Sequence, residues 1–306
     1  MIMNILLSLT GKDYSKKIIL LFCAVALFLQ TWAVFAAEPR LPFYEAQKGN
    51  TRVYILGTMH LGRQDEPLRQ DIAQALIRSS KLIQELSDRE MAQSGLLMAS
   101  YFCQDACLRR QLSEKAYRKL AGGSAAAFEA MGGLERMPAW MVLTMLVMMD
   151  YEKAGLSPLA STELKLKRIW GGKPVDGLES AEEQMAILAT LGEDVQRVML
   201  ESHIDTPEEK RLALVRELYA IWQQGDAEAL YRWYLHMPKE EGVSSEMVNE
   251  IDKKLLVQRN LRFIERLQPY LTSEKQIFVA VGALHLGGAQ GVLALLKAQG
   301  FTITER

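Results

Sequence analysis

Two stretches of unbroken hydrophobicity, far apart in the chain, share one pattern. Val53-Tyr54-Ile55-Leu56-Gly57-Thr58-Met59-His60-Leu61-Gly62 and Phe278-Val279-Ala280-Val281-Gly282-Ala283-Leu284-His285-Leu286-Gly287 each run from β-forming residues into Gly-x-x-His-Leu-Gly. Continuous rather than alternating apolar runs mark strands buried on both faces, as in a parallel sheet. The glycine predicts a turn at the strand end. The histidine three residues on then projects from the carboxyl edge, where open α/β sheets gather their ligands. A lone histidine after a buried strand is usually a packed core residue. Two in the same frame, in a chain with 4 histidines in all, point to a site.

The remaining pattern places further groups at that edge. Leu68, Ile72, Ala75, Leu76 and Ile77 have helical spacing over 67–80, and Lys81 to Leu86 reads as a strand. Together with the first patterned strand they form a βαβ unit, which brings Glu85 to the same edge as His60. Residues 38–47 read as an extended lead-in, and 89–154 as helical with breaks at Gly122-Gly123 and Gly132-Gly133. The methionines Met137, Met141, Met145, Met148 and Met149 read as adaptable core, or as the wall or lid of a cleft. A short strand ends near Glu179, and Ser180 with Glu183 predicts a capping box for the next helix. Glu179 is then either a second acidic site group or part of the cap. A helical run over 212–237 breaks at Gly225-Asp226, and His203 and His236 read as surface or packing histidines. In the helix over 246–267, Ile251, Leu255, Arg259 and Phe263 follow at i+4 steps, so Arg259 falls on the apolar stripe. It either meets a carboxylate such as Glu85 or Glu179, or snorkels to solvent. A helix over 291–299 and a strand over 301–303 close the chain. The expected fold is α/β (α+β): a mixed β-sheet built from both ends of the mature chain, with a large helical insertion over about 89–268. Residues 38–306 are expected to form a single domain.

Composition changes this picture in three ways. The net charge is −1, so no basic excess exists to neutralise phosphates, which argues against a nucleic-acid partner. Residues 1–37 read as a signal peptide, with Lys12, Lys16 and Lys17 ahead of the apolar run Ile18 to Leu29 and Val34-Phe35-Ala36 at the cleavage position. That run is too short to span a bilayer, which predicts export to the periplasm or beyond. Extended through Phe35 and left uncleaved, it would instead associate the chain with the inner membrane. Cys103 and Cys107 then sit in an oxidising compartment, which predicts a disulfide between them.

In order along the chain, GTMHLG at 57–62, LIQELS at 82–87 and Met137-Pro138-Ala139-Trp140 resemble motifs of the TraB/GumN family, which includes the Tiki membrane-tethered proteases. KPVDGLES at 173–180, Trp222-Gln223-Gln224-Gly225-Asp226, Arg259-Asn260 and VAVGALHLGG at 279–288 continue the resemblance over nearly the whole mature chain. It implies a superfamily shared with erythromycin esterases and ChaN-like haem- or iron-binding proteins, and a site of two GxxH histidines and a glutamate. Those positions are His60, His285 and Glu85, with Arg259 at a further family position. Ser157 departs from the pattern, since many relatives carry aspartate there, which puts part of the outer site in doubt.

Two imidazoles and a carboxylate suit a divalent metal (manganese, cobalt, iron or zinc) with open positions for water. The first expectation is therefore a metal-dependent hydrolase of peptidase type acting on a peptide or small-molecule substrate. His60 and His285 are its expected ligands and Glu85 the third ligand or general base, while Arg259 stabilises an oxyanion or orients Glu85. One rival keeps the site without metal, as an esterase-like hydrolase with His60 as base. The other is a non-catalytic periplasmic protein that binds haem, iron or a partner.

Overall fold

The computed structural model describes residues 39–129, 133–240 and 243–306, so the leader expected over 1–37, with its cleavage and anchor readings, lies outside the described residues. The chain enters β1 (Phe43–Lys48) and turns into β2 (Thr51–Thr58), the first patterned strand. The expected lead-in is thus a paired strand for much of its length, because Phe43 and Ala46 are buried while Gln47 and Lys48 stay exposed. Next come α1 (Gln70–Ile77) and β3 (Leu82–Leu86), where the apolar spacing predicts them.

The helical region opens with α2 (Asp88–Ser100), α3 (Leu108–Gln111), α4 (Glu114–Glu129) and α5 (Ala139–Lys153). Cys103 and Cys107 are disulfide-bonded in the turn between α2 and α3. The expected break at Gly122-Gly123 does not occur: α4 runs through both glycines, anchored on either side by buried Leu120 and Phe128. A glycine inside a helix costs only about 1 kcal/mol, which such anchoring offsets. The second expected break is found, with Gly133 at a positive φ of 93° ahead of Leu134; Gly132 lies outside the described residues. Met137 and Met141 are core, packed with Leu108, Phe128 and Trp140.

After α6 (Thr162–Trp170), β4 (Val175–Glu179) returns to the sheet, and α7 (Ala181–Ala189) starts on the predicted capping box. Ser180 Oγ accepts from Glu183 N–H at 3.1 Å, and Glu183 accepts from Ser180 N–H at 2.8 Å. The helices α8 (Glu193–Asp205), α9 (Glu208–Gln224) and α10 (Ala227–Glu240) follow, with the α9–α10 break at Gly225-Asp226 as expected. The helix expected over 246–267 is two helices, α11 (Ser245–Asp252) and α12 (Gln258–Ser273), joined by a π turn at Lys253–Val257. Then β5 (Gln276–Gly282), a single 3-10 turn at Ala283–His285, α13 (Val292–Ala298) and β6 (Thr302–Glu305) complete the chain. Among the described residues no helix is long and apolar enough to cross a membrane.

The strand order is β4-β3-β5-β2-β1-β6. Four neighbours, β4, β3, β5 and β2, run parallel, while β1 is antiparallel to both β2 and β6. The sheet is therefore mixed, and β4, from inside the expected insertion, supplies one of its edges. The two patterned strands are direct neighbours, with Gly57 opposite Val281 and Thr58 opposite Gly282.

Their continuous hydrophobicity serves two cores, because successive strand residues face opposite sides. Val53, Ile55, Val279 and Val281 pack under α12 and α13 with Phe263, Leu267 and Leu296. Tyr54, Leu56, Phe278 and Ala280 face the other way, against Ile72, Leu166 and Trp222 of α1, α6 and α9. Burial on both faces fixes the register, since a one-residue slip would exchange every side chain between the two cores.

Candidate active site

All four parallel strands end at one edge, and each delivers a polar group there. Thr58 closes β2, with His60 two residues on. Glu85 is the penultimate residue of β3, Glu179 the last of β4, and His285 follows β5 by three residues. The two pattern glycines do different work. An added Cβ on Gly57 would lie 2.9 Å from the Ala283 Cα, so this glycine lets β2 pass against the turn that carries His285. Gly57 lies within β2 and does not end it. Gly282 does end β5, and its N–H donates to Glu85 Oε1 at 2.7 Å.

Glu85, Glu179 and Arg259 form a buried cluster. Of the two sequence readings of Arg259, the carboxylate partner is the one found, and both candidates are engaged. Its Nε and Nη2 donate to Glu179 at 3.1 and 2.5 Å, and Nη2 also to Glu85 Oε2 at 2.6 Å. Its Nη1 reaches the Leu255 carbonyl in the π turn at 3.1 Å. Gln184 of α7 donates to Glu85 at 3.2 Å and to Glu179 at 2.9 Å. Glu179 thus belongs to the site, while Glu183 forms the cap.

The two histidines differ in setting. His285 is buried, and its Nδ1 lies 2.6 Å from Asn260 Oδ1. Asn260 Nδ2 donates to the Gln290 carbonyl at 2.9 Å, which turns its oxygen toward the ring. Nδ1 is therefore the protonated nitrogen, and Nε2 keeps its lone pair. The His60 side chain is 67% exposed, and its Nδ1 meets Glu163 Oε1 at 2.9 Å. Glu163 arrives because two ties bind the segment after β2 to the start of α6. Met59 exchanges bonds with Thr162 (N–H to Oγ1 at 3.2 Å, carbonyl from N–H at 3.1 Å), and Gly62 exchanges backbone bonds with Ser157 at 2.8 and 3.1 Å. Ser157 therefore secures the loop through its backbone, and Glu163 supplies an acid nearby.

The electrostatics follow the contacts. Burial pushes the Glu85 carboxyl up, but Arg259 foremost, then His60 and the Gly282 N–H, more than reverse this and hold it at about 2. Burial dominates at Glu179 and raises it, with Arg259 opposing. Burial also pushes His285 down to about 3, so the ring is neutral, in line with its tautomer. The Glu163 carboxylate raises His60. Water around this exposed ring screens that pair.

Glu163, Asn260 and Gln184 have contacts that their local sequence does not foretell. Asn260 lies in the quoted Arg259-Asn260 pair, but its contact to His285 depends on the packing of α12 against the turn. Glu163 in the first turn of a helix reads as an ordinary partner of the helix dipole. Gln184 carries no signal in the sequence.

A divalent cation fits part of this donor set. His285 Nε2 and Glu85 Oε1 lie 3.7 Å apart, two acceptors facing each other with no hydrogen between them. Each imidazole has its Nδ1 oriented by a side-chain oxygen, the arrangement that fixes metal-ligating histidines. Near His60, Glu163 turns Oε1 to the ring at 2.9 Å, beside the buried Thr58. As the side chains stand, no group of three or more His, Cys, Asp or Glu among the described residues is close enough to hold an ion.

The fold and site define a class: an α/β protein with paired GxxH histidines over the carboxyl ends of a parallel strand set, backed by a buried glutamate–arginine cluster. The profile of the TraB/PrgY/gumN family matches residues 42–305, and the chain belongs to that family. No curated protein and no solved structure matches it.

Proposed function

We propose that this chain is a metal-dependent hydrolase acting on peptide or small-molecule substrates at the carboxyl edge of β2, β3, β4 and β5. The supporting observation is the pair His285 Nε2 and Glu85 Oε1, two acceptors 3.7 Å apart at the edge where His60 also emerges. His285, Glu85 and His60 would hold the cation (manganese, cobalt, iron or zinc), which would supply an acidified water and a polarised carbonyl. Asn260 keeps the His285 Nε2 lone pair available, and Glu163 orients His60. Arg259 and the Gly282 N–H keep Glu85 ionised and fixed, so Arg259 acts as a positioning residue. The predicted leader and the Cys103–Cys107 disulfide support export to an oxidising compartment.

The test is metal content and hydrolysis. The chain from Ala37 onward, purified without chelators, is expected to carry near-stoichiometric divalent metal. The His60→Ala/His285→Ala double variant is expected to lose both metal and hydrolysis of a peptide and ester panel. A folded double variant that keeps its metal and full activity would sink the reading.

A second reading has its own support in the His60–Glu163 contact of 2.9 Å. Here His60 takes a proton from water through Nε2 while Glu163 steadies the ring, as carboxylates do for catalytic histidines. Activity that survives exhaustive chelation and falls in Glu163→Gln favours it. A chain that binds haem, iron or a partner and hydrolyses nothing in the panel is a binding protein.

A further inference from the structure

A cavity of about 320 Å³ opens among α5, α8, α9 and α10, behind the turn that carries His285. Its walls are mostly aliphatic and aromatic: Leu143 and Val147 of α5, Leu214 and Leu218 of α9, and Trp233 of α10. Leu284 closes it on the side of the sheet. Protein interiors hold few voids larger than a water molecule. An apolar space of this size with a few polar groups has the character of a ligand pocket.

Its polar end offers no net charge. Asp150 is buried, and Arg211 donates to it through Nε at 2.7 Å and Nη2 at 3.3 Å, with Nη1 on the Thr206 carbonyl at 2.6 Å. His203 lies beside the same carboxylate, 3.3 Å away, and burial keeps its ring neutral. A charged group entering here would find the arginine and the aspartate already committed to each other. An uncharged group loses nothing to that pairing and gains the apolar walls.

The cavity and the site share the turn Ala283–His285. Leu284 and His285 are consecutive residues of one 3-10 turn, so cavity wall and site histidine stand about 3.8 Å apart along the backbone. Side chains on such a turn diverge by a third of a circle. His285 faces Asn260 and Glu85, while Leu284 faces the cavity. The helix α10, which supplies Trp233, packs on the same turn.

We propose that this cavity receives a bulky, uncharged apolar side chain of a peptide substrate whose backbone lies over His285. The proposal rests on the hydrolase reading of the site and adds the class of side chain selected. A hydrophobic pocket discriminates by roughly tenfold or more for each methylene filled or missing. Leucine- and phenylalanine-bearing peptides are therefore expected to bind more tightly than glycine, glutamate or lysine equivalents.

The test titrates acetyl-Ala-Xaa-Ala amides (Xaa = Gly, Leu, Phe, Glu, Lys) into the full chain, read by methyl NMR. Shifts at Leu143, Val147, Leu214, Leu218 and Leu284 methyls with Leu and Phe peptides only are the expected result. Two variants that fill the space from different helices, Leu214→Trp and Val147→Phe, are expected to weaken Phe-peptide binding about tenfold, with the Gly peptide unchanged. His60→Ala is expected to retain the preference, which separates this inference from the activity of the site. Equal affinity for all five peptides, or shifts away from these methyls, overturns the proposal even where hydrolysis is found. The preference with its methyl shifts upholds the pocket even where hydrolysis is absent.

Discussion

Replacing Arg259 by methionine removes the guanidinium that bonds both glutamates and leaves two buried carboxylates without it. Arg259 is 8% exposed, and its guanidinium bonds Glu179 at 2.5 and 3.1 Å and Glu85 at 2.6 Å. Removing one partner of a buried ion pair costs about 3–5 kcal/mol, because the other charge stays buried without compensation. Two carboxylates share this cation, so the upper part of that range is expected near neutral pH. For a chain of this size that corresponds to a fall in Tm of roughly 10 °C. The pH dependence gives the sharper test. In the native protein Glu85 is held at about 2, below its ordinary 4.5. Its contribution is therefore full above 4.5 and fades as pH falls toward 2. Glu179, raised by burial, contributes in the opposite sense: its share is present below 4.5 and lost as pH rises through its folded value. Without Arg259, burial raises both groups, and protonation relieves both. Urea denaturation at pH 7 and pH 4.5 should thus show a wide gap between native and Arg259→Met chains at pH 7 that narrows at pH 4.5. Arg259→Lys keeps the charge without the planar fork and should fall between them. A loss under about 1 kcal/mol at pH 7, or equal losses at both pH values, refutes the reasoning.

Three further outcomes follow from single contacts. Gly57→Ala places a Cβ 2.9 Å from the Ala283 Cα, and overpacking of this kind costs about 1–3 kcal/mol, readable as a lower melting temperature. Asn260→Ala leaves the buried His285 Nδ1–H unpaired, at about 1–3 kcal/mol, and nitrogen NMR of the ring should show the loss of its single tautomer. Changing Cys103 and Cys107 both to serine opens a very short loop, so the chain-entropy loss is limited to about 2 kcal/mol. A larger loss in chemical denaturation would mean that the turn between α2 and α3 supports more of the helical core than its contacts indicate.

The strands and their shared edge were legible because burial on both faces writes itself into sequence as unbroken hydrophobicity. Glu85 was legible from its place late in such a run, and Arg259 from a charge on an apolar helix stripe. The companions of the histidines were not. Glu163 reaches His60 through two loop ties between segments about a hundred residues apart, and its own neighbourhood resembles any helix start. Asn260 reaches His285 through the packing of α12 on a one-turn helix. The passage of α4 through Gly122-Gly123 was illegible for the same reason: Leu120 and Phe128 decide it through a core assembled from distant helices. What local sequence carries is the period of burial; which partner a polar group meets is decided by packing.

The repeated motif is therefore a repeat of position and not of chemistry. Both histidines leave neighbouring parallel strands at the same edge, yet one is open to water beside a carboxylate and the other is buried beside an amide. An amide partner adds no charge, so burial foremost, with Arg259 and His60 and against Glu85, keeps the His285 ring neutral, a fixed donor of one lone pair. A carboxylate partner stabilises positive charge, so His60 is the ring better able to take up a proton. Under the proposed function the two cannot be exchanged. Replacing Glu163 by glutamine and Asn260 by aspartate in one chain should move the charge to the buried ring and abolish hydrolysis, though each position keeps a side chain of matching shape. A swapped chain with native activity would mean that the asymmetry of the two settings has no part in the chemistry.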